Sequence, residues 1–243
     1  MARIFITGSA DGLGYLSAKL LVGQGHQVVL HARNAVRGHD ALKKLPGAET
    51  VLTGDLSDIE DTIKLAEKVN ASGPFDAVIH NAGIYTASSK EILSVNTLAP
   101  YILTSLIQKP KRVIYMSSGM HLSGHFKPES FGNGMNHVTY SDSKLHVLML
   151  SRAVARRWPE VYSNAVNPGW VPTKMGGLGA PDDLQKGCET QAWLAVSNDE
   201  AAKVSGQYFF HQQVRPYNPE ANDFVLQDKF LDLCKKLTGV SFP

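Results

Sequence analysis

The chain has 243 residues, 43% of them hydrophobic, enough to bury a sizeable core within one domain spanning 1–243. A formal net charge of +2 is too mild to point to nucleic acid, and Lys109-Pro-Lys-Arg112 reads as a solvated turn before a strand. Cys188 and Cys234 are too few for a disulfide framework, and no apolar run reaches bilayer length; with the chain opening directly on its first strand, a soluble, cytoplasmic protein is expected.

The first strand, 3–7, is the apolar and β-branched run Arg3-Ile-Phe-Ile-Thr7, and a helix over 13–24 stops at Gly25. Between them lies the glycine-rich turn Thr7-Gly8-Ser9-Ala-Asp11-Gly12-Leu13-Gly14. Gly8 permits the tight turn, Gly12 lets backbone approach a diphosphate, and Gly14 allows the helix to pack on the strand. The helix N-terminus offers unpaired N–H groups to the anion. The Gly-x-x-x-Gly-x-Gly spacing departs from the Gly-x-Gly-x-x-Gly fingerprint, and the absence of Gly-Lys-Ser/Thr argues against a nucleoside triphosphatase.

The second strand, 27–31, runs into His31-Ala-Arg33. It lacks the carboxylate that would accept hydrogen bonds from a ribose 2′-OH and offers a guanidinium suited to a 2′-phosphate. The expected cofactor is therefore NADPH rather than NADH, with Arg33 on the phosphate and Arg37 a second candidate. Asp11 adds opposing negative charge. The alternation continues with a helix at 34–45, a strand at 49–53, helix 58–71, strand 76–80, helix 88–107 and strand 112–117. Ser123 to His137, with three glycines and a proline, reads as an irregular insertion.

On the next helix, 138–157, Tyr140 and Lys144 stand four apart on one face. An ammonium about 4 Å from a phenolate contributes roughly 4 kcal/mol at an effective dielectric near 20, enough to lower a tyrosine pKa of about 10 by two to three units. Ser117 and Ser118 face opposite sides of their strand, so only one can reach the same space, and spacing alone does not say which. A strand at 162–167, helix 182–197, strand 206–210 and helix 221–237 complete an α/β, Rossmann-type doubly wound parallel sheet of about seven strands with helices on both faces. His121 and His125 are also four apart, but Gly124 between them argues against a preformed site, and no metal is expected.

Together, Thr7 to Gly14, Asp55-Leu56, Asn81-Ala82-Gly83, Asn96, Ser118, Tyr140-x-x-x-Lys144 and Pro168-Gly169 resemble the short-chain dehydrogenase/reductase family in order and place. Ser117-Ser-Gly-Met-His121, the long stretch before Tyr140, Ser205-Gly-Gln-Tyr-Phe209 and Leu237-Thr-Gly239 look most like its retinol-dehydrogenase and carbonyl-reductase branch. The resemblance implies an NAD(P)-dependent oxidoreductase acting on a small-molecule carbonyl or alcohol. It assigns Asn96, Ser118, Tyr140 and Lys144 to catalysis, selecting Ser118 over Ser117. It gives Asp55 and Leu56 to adenine, Asn81, Ala82 and Gly83 to the ribose and sheet edge, and Pro168, Gly169, Val171 and Thr173 to the nicotinamide. Lys144 would also bind the nicotinamide ribose, and the Asn96 backbone would hold a water linking Lys144 to solvent.

NADPH-dependent carbonyl reduction with Tyr140 as the acid is the leading expectation. An NAD(H)-linked alcohol dehydrogenase working oxidatively and a non-catalytic dinucleotide-binding regulator are the alternatives. Substrate contacts are expected from Ser118, His121, Tyr140 and Trp170, within variable segments at about 120–137 and 173–200. Pairing into a homodimer or homotetramer through the helices at 88–107 and 138–157 is a further expectation.

Overall fold

A computed structural model describes residues 1–132 and 137–243. The strands are β1 (Arg3–Ile6), β2 (Gln27–Ala32), β3 (Thr50–Thr53), β4 (Ala77–His80), β5 (Arg112–Met116), β6 (Tyr162–Asn167), β7 (Tyr208–Phe210) and β8 (Gln213–Val214). The helices are α1 (Gly12–Gly23), α2 (Ala35–Lys44), α3 (Ile59–Ala71), α4 (Ser89–Leu93), α5 (Ala99–Leu106), α6 (Tyr140–Arg157), α7 (Leu184–Val196) and α8 (Phe224–Thr238). They build one sheet in the order β3-β2-β1-β4-β5-β6-β7-β8, parallel except for the β7–β8 pair. Because the strand order reverses between β1 and β4, the loops after these two strands diverge and open a crevice at their carboxyl ends.

Strand alternation explains the two-sided core. Ile4 and Ile6 turn toward α1 and α7, packing with Leu21 and Ala192. Phe5, between them, packs with Leu65, Val69 and Leu103 of α3 and α5. Farther along the sheet, Val113 and Tyr115 of β5 meet Leu148 of α6 and Phe230 of α8. Every strand from β1 to β7 is thus covered on both faces, as a parallel sheet requires.

The structure departs from the sequence reading at two places. The eighth strand was not expected: His211 and Gln212 take positive φ values of 49° and 60°, forming a tight turn that folds two exposed residues back onto β7. The predicted helix over 88–107 is interrupted by a π-helical turn at Ser94–Leu98, a kind of irregularity frequent at functional sites.

The outer faces of α5 and α6 are occupied by the chain's own C-terminal segment. Tyr101 donates from its hydroxyl to the Val240 carbonyl (2.8 Å), Trp158 stacks on Phe242 with ring centres 5.1 Å apart, and Arg156 pairs with Asp228 of α8. Residues 99–104 of α5 are all buried. The C-terminal segment packs against the two helices through which a homodimer or homotetramer contact is expected. No helix among the described residues is long and apolar enough to cross a membrane.

Candidate active site

A cleft of about 340 Å³ runs along the carboxyl ends of the strands, from the glycine turn to Tyr140 and Lys144. Of the residues expected at a dinucleotide, Gly8, Asp11, Gly12, Leu13, Arg33, Asp55, Leu56, Asn81, Ala82, Gly83, Tyr140, Lys144, Pro168 and Thr173 line it. Gly8 has φ +64°, and a Cβ there would stand 2.9 Å from the Ala82 backbone; Gly12 has φ +56° and open space beside it. The turn therefore brings bare backbone to the cleft at the head of α1. A side chain at Gly14 would collide with Asn81, which in turn donates to the Thr7 (2.9 Å) and Gly8 (3.3 Å) carbonyls.

Three expected cofactor residues lie behind the cleft instead. Ser9 is fully buried; its hydroxyl donates to the Ile6 carbonyl (2.8 Å) and accepts from His31 N–H (2.8 Å). Thr7 is also buried, and its hydroxyl accepts from the N–H groups of Asn81 (2.9 Å) and Ala82 (3.0 Å). Both fix the shape of the turn because a buried hydroxyl must spend its capacity on nearby backbone. Val171 is buried, and its carbonyl accepts from Thr173 N–H (2.8 Å) rather than facing the cleft. Gly169 (φ +86°) makes the turn that lets Trp170 N–H reach Asp182 (2.6 Å).

Two cleft residues were invisible to motif reasoning. His31 accepts from Gly8 N–H at Nδ1 (2.9 Å) and therefore donates from Nε2 to the Gly54 carbonyl (3.0 Å). Burial drives its pKa down to about 4, so a neutral ring staples the glycine turn to the end of β3. Lys174 places its ammonium on the Asp11 carboxylate, which also caps α1 by accepting from Gly12 N–H (2.9 Å). The charge at Asp11, which opposes a phosphate, is thereby compensated. Arg33 and Arg37 both line the cleft, and Arg33 Nε lies 4.0 Å from Asp55 Oδ2.

At the other end, the Thr139–Asp142 capping box starts α6 immediately before Tyr140, which sets Tyr140 in the first turn and Lys144 one turn deeper. Lys144 is buried and donates to the Met116 carbonyl (2.8 Å) at the end of β5. Its Nζ lies over the Tyr140 ring, 5.4 Å from the centroid. Burial lowers the Lys144 pKa to about 8. Burial also raises Tyr140 to about 12, the Ser118 hydroxyl acting to lower it and the nearby Tyr85 to raise it. Desolvation is the largest influence on the Tyr140 hydroxyl, and the direction is opposite to the lowering expected from Lys144.

Ser117 lines the cleft but donates its hydroxyl to the Lys144 carbonyl (2.9 Å), whereas the Ser118 hydroxyl, beside the cleft, accepts from Met120 N–H (3.2 Å) and acts to lower the Tyr140 pKa. Asn96 sits in the π-helical turn. Its side chain accepts from Ile84 N–H (2.8 Å) and donates to the Ile84 carbonyl (2.9 Å) and Ser143 hydroxyl (3.0 Å), tying the loop after β4 to α6. A Cβ on Gly83 would be 3.3 Å from Lys144 Nζ and 3.4 Å from Asn96 Oδ1, so these three positions are immediate neighbours.

His121, expected at the substrate, is buried away from the cleft. Its Nε2 accepts from Asn218 N–H (3.2 Å), which leaves Nδ1 to donate to the Ser118 carbonyl (2.6 Å), and its ring packs 4.5 Å from Tyr208. It holds Ser118 through the backbone. Trp170 is 60% exposed and donates from its indole to the Gly176 carbonyl (2.8 Å). Residues 133–136, within the expected substrate segment 120–137, lie outside the described residues. No cluster with metal-ligand character occurs among the described residues.

The short chain dehydrogenase family model matches residues 2–182, and the chain belongs to this family of NAD(P)-dependent oxidoreductases. An uncharacterized oxidoreductase of Emericella nidulans is 45% identical, with 100% of this chain and 99% of that protein aligned. Mouse retinol dehydrogenase 14 is 25% identical over 98% of this chain and 86% of its own length. Among solved structures, an uncharacterized protein from Mycobacterium paratuberculosis superposes with a TM-score of 0.85 at 23% identity, covering 100% of this chain and 95% of that one. A metagenomic blue fluorescent protein in complex with NADPH superposes at 0.71 with 20% identity, covering 86% and 95%. These two share the fold.

Proposed function

We propose that this oxidoreductase uses NADPH to reduce a ketone or aldehyde to an alcohol, with Tyr140 as the proton donor. The observation that carries the reading is one continuous cleft with a bare glycine turn and two arginines at one end and Tyr140 with Lys144 at the other, the Ser118 hydroxyl acting on Tyr140 from beside it. The residues fit a dinucleotide phosphate. Backbone N–H groups of the 8–13 turn would hold the diphosphate, Arg33 and Arg37 the 2′-phosphate, and Asp55 and Leu56 the adenine. Asn81, Ala82 and Gly83 would face the ribose, Lys144 the nicotinamide ribose, and Pro168 and Thr173 the nicotinamide. NADPH, when bound, supplies the hydride that adds to the carbonyl carbon.

Tyr140 then gives its proton to the carbonyl oxygen while Ser118 donates a hydrogen bond to it, so charge is quenched where it develops. The raised pKa keeps the proton on the donor. At about 12 the phenol is protonated at neutral pH and remains a stronger acid than an alcohol, whose acidity resembles that of bulk water with a pKa of about 15.7. The same groups run in reverse serve alcohol oxidation, so this acidity speaks to the proton donor and not to the direction.

Tyr140→Phe removes the proton and little else. Reduction in kcat should fall by about 10²- to 10⁴-fold, the span of general acid catalysis, while NADPH still binds, followed by its fluorescence. Undiminished turnover in this variant would overturn the assignment.

A further inference from the structure

Most of the exposed large apolar side chains among the described residues gather at one place. Tyr85 follows β4, Met120 and Leu122 follow β5, and Trp170, Met175 and Leu178 follow β6. These three strands are neighbours in the sheet, and all three loops leave its carboxyl edge. Each loop is tied to the site. The Tyr85 ring packs edge-on against Tyr140 with centroids 4.8 Å apart, Met120 N–H donates to the Ser118 hydroxyl (3.2 Å), and Met175 lines the cleft with Tyr140. Trp170 is pinned to the same loop through Gly176.

Charge is missing from these segments as well. Residues 84–89, 117–126, 168–173 and 175–181 contain no Asp, Glu, Lys or Arg; Lys174, the exception between them, is engaged by Asp11. Asp182, directly after the last of these segments, spends its carboxylate on Trp170 N–H, and the lip of aromatic and thioether groups itself desolvates flat apolar surface and penalises a charged group.

We propose that this lip selects uncharged, flat, polycyclic aromatic ketones, with Tyr85 as a specificity-determining residue beside the proton donor. The inference rests on the carbonyl-reductase reading and names its substrate class. The bulk of such a molecule lies on Tyr85, Met120 and Met175, which leaves its carbonyl oxygen at Tyr140 and Ser118. Small polar aldehydes leave the lip in water and gain nothing from it.

The test is a ladder of aryl methyl ketones: acetophenone, 2-acetylnaphthalene and 2-acetylphenanthrene, with 6-acetyl-2-naphthoate as the charged counterpart. kcat/KM with NADPH should rise roughly ten-fold per added ring, as expected from burying about 50 Å² more apolar surface each time, and should fall at least ten-fold for the carboxylate. Tryptophan fluorescence titrated with 2-acetylnaphthalene gives dissociation constants independent of turnover, and these should follow the same order. Tyr85→Ala and, separately, Trp170→Ala should flatten the ladder while NADPH affinity is kept. Turnover with a flat ladder, or equal use of the carboxylate, overturns the substrate class alone. No turnover of any member overturns the reductase reading and this inference with it.

Discussion

Replacing Lys144 by Met tests the electrostatics of the buried site. Burial lowers the Lys144 pKa from its ordinary 10.5 to about 8, a difference of 2.5 units, so holding the ammonium inside costs about 3 kcal/mol at neutral pH. Its hydrogen bond to the Met116 carbonyl, 2.8 Å, offsets part of this, since a charge-assisted bond contributes about 1.5 to 3 kcal/mol. The folded pKa lies below the unfolded one. Between pH 8 and 10.5 the unfolded chain therefore holds more of the proton, and stability recovers as pH rises through that window. Urea melts of the wild type and of Lys144→Met at pH 7 and pH 10 isolate the effect, because every other titrating group is common to both. At pH 7 the variant should be within about 1 kcal/mol of the wild type or above it, yet inactive. On moving to pH 10 the wild type should gain about 2 to 3 kcal/mol relative to the variant. A variant that is several kcal/mol less stable at pH 7, with no relative change by pH 10, would refute the desolvated-ammonium description.

Four further outcomes are expected. Arg33→Ala should cut the NADPH-to-NADH preference in kcat/KM at least ten-fold, and an unchanged preference would remove Arg33 from the cofactor assignment. NADPH affinity should weaken above pH 8 as Lys144 loses its proton, whereas the tyrosine, with a pKa near 12, keeps the reductive chemistry itself flat between pH 6 and 8; isothermal titration and single-turnover rates separate the two. His121→Phe leaves the Ser118 carbonyl and Asn218 N–H without their partner, costing about 2 kcal/mol in stability and lowering kcat more than the KM for NADPH. His121→Asn, which can again donate to that carbonyl, should restore part of kcat. Light scattering after gel filtration should give a dimer or tetramer that surface substitutions on α5 and α6 disrupt, and a monomer, or an oligomer indifferent to them, would remove the pairing expected through these helices.

Groups of the site that act through backbone geometry or through residue spacing were legible in the sequence. Gly8 and Gly14 stand out because a side chain there would collide with Ala82 or Asn81, Gly12 because its positive φ favours glycine, and Tyr140 with Lys144 because a helix repeats every 3.6 residues. What escaped depends on contacts between distant parts of the chain. Lys174 meets Asp11 across 163 residues, and His31 reaches Gly54 only because β2 and β3 are neighbours. Neither leaves a periodic trace. His121 was misplaced for a related reason: its proximity to Ser118 was readable, but the burial that turns it inward comes from Asn218 and Tyr208, nearly a hundred residues away. The tyrosine pKa went wrong because spacing on a helix fixes which face a side chain shares and not how far its hydroxyl is desolvated.

The central claim is hydride delivery to a carbonyl carbon with Tyr140 supplying the proton, and isotope transfer tests it most directly. With 2-acetylnaphthalene and NADPH deuterated at the transferring C4 position, mass spectrometry should find one deuterium on the carbinol carbon of the alcohol, and Tyr140→Phe should form that product at least a hundred-fold more slowly. An alcohol whose carbinol hydrogen comes from solvent, or equal product formation by the variant, would contradict the account.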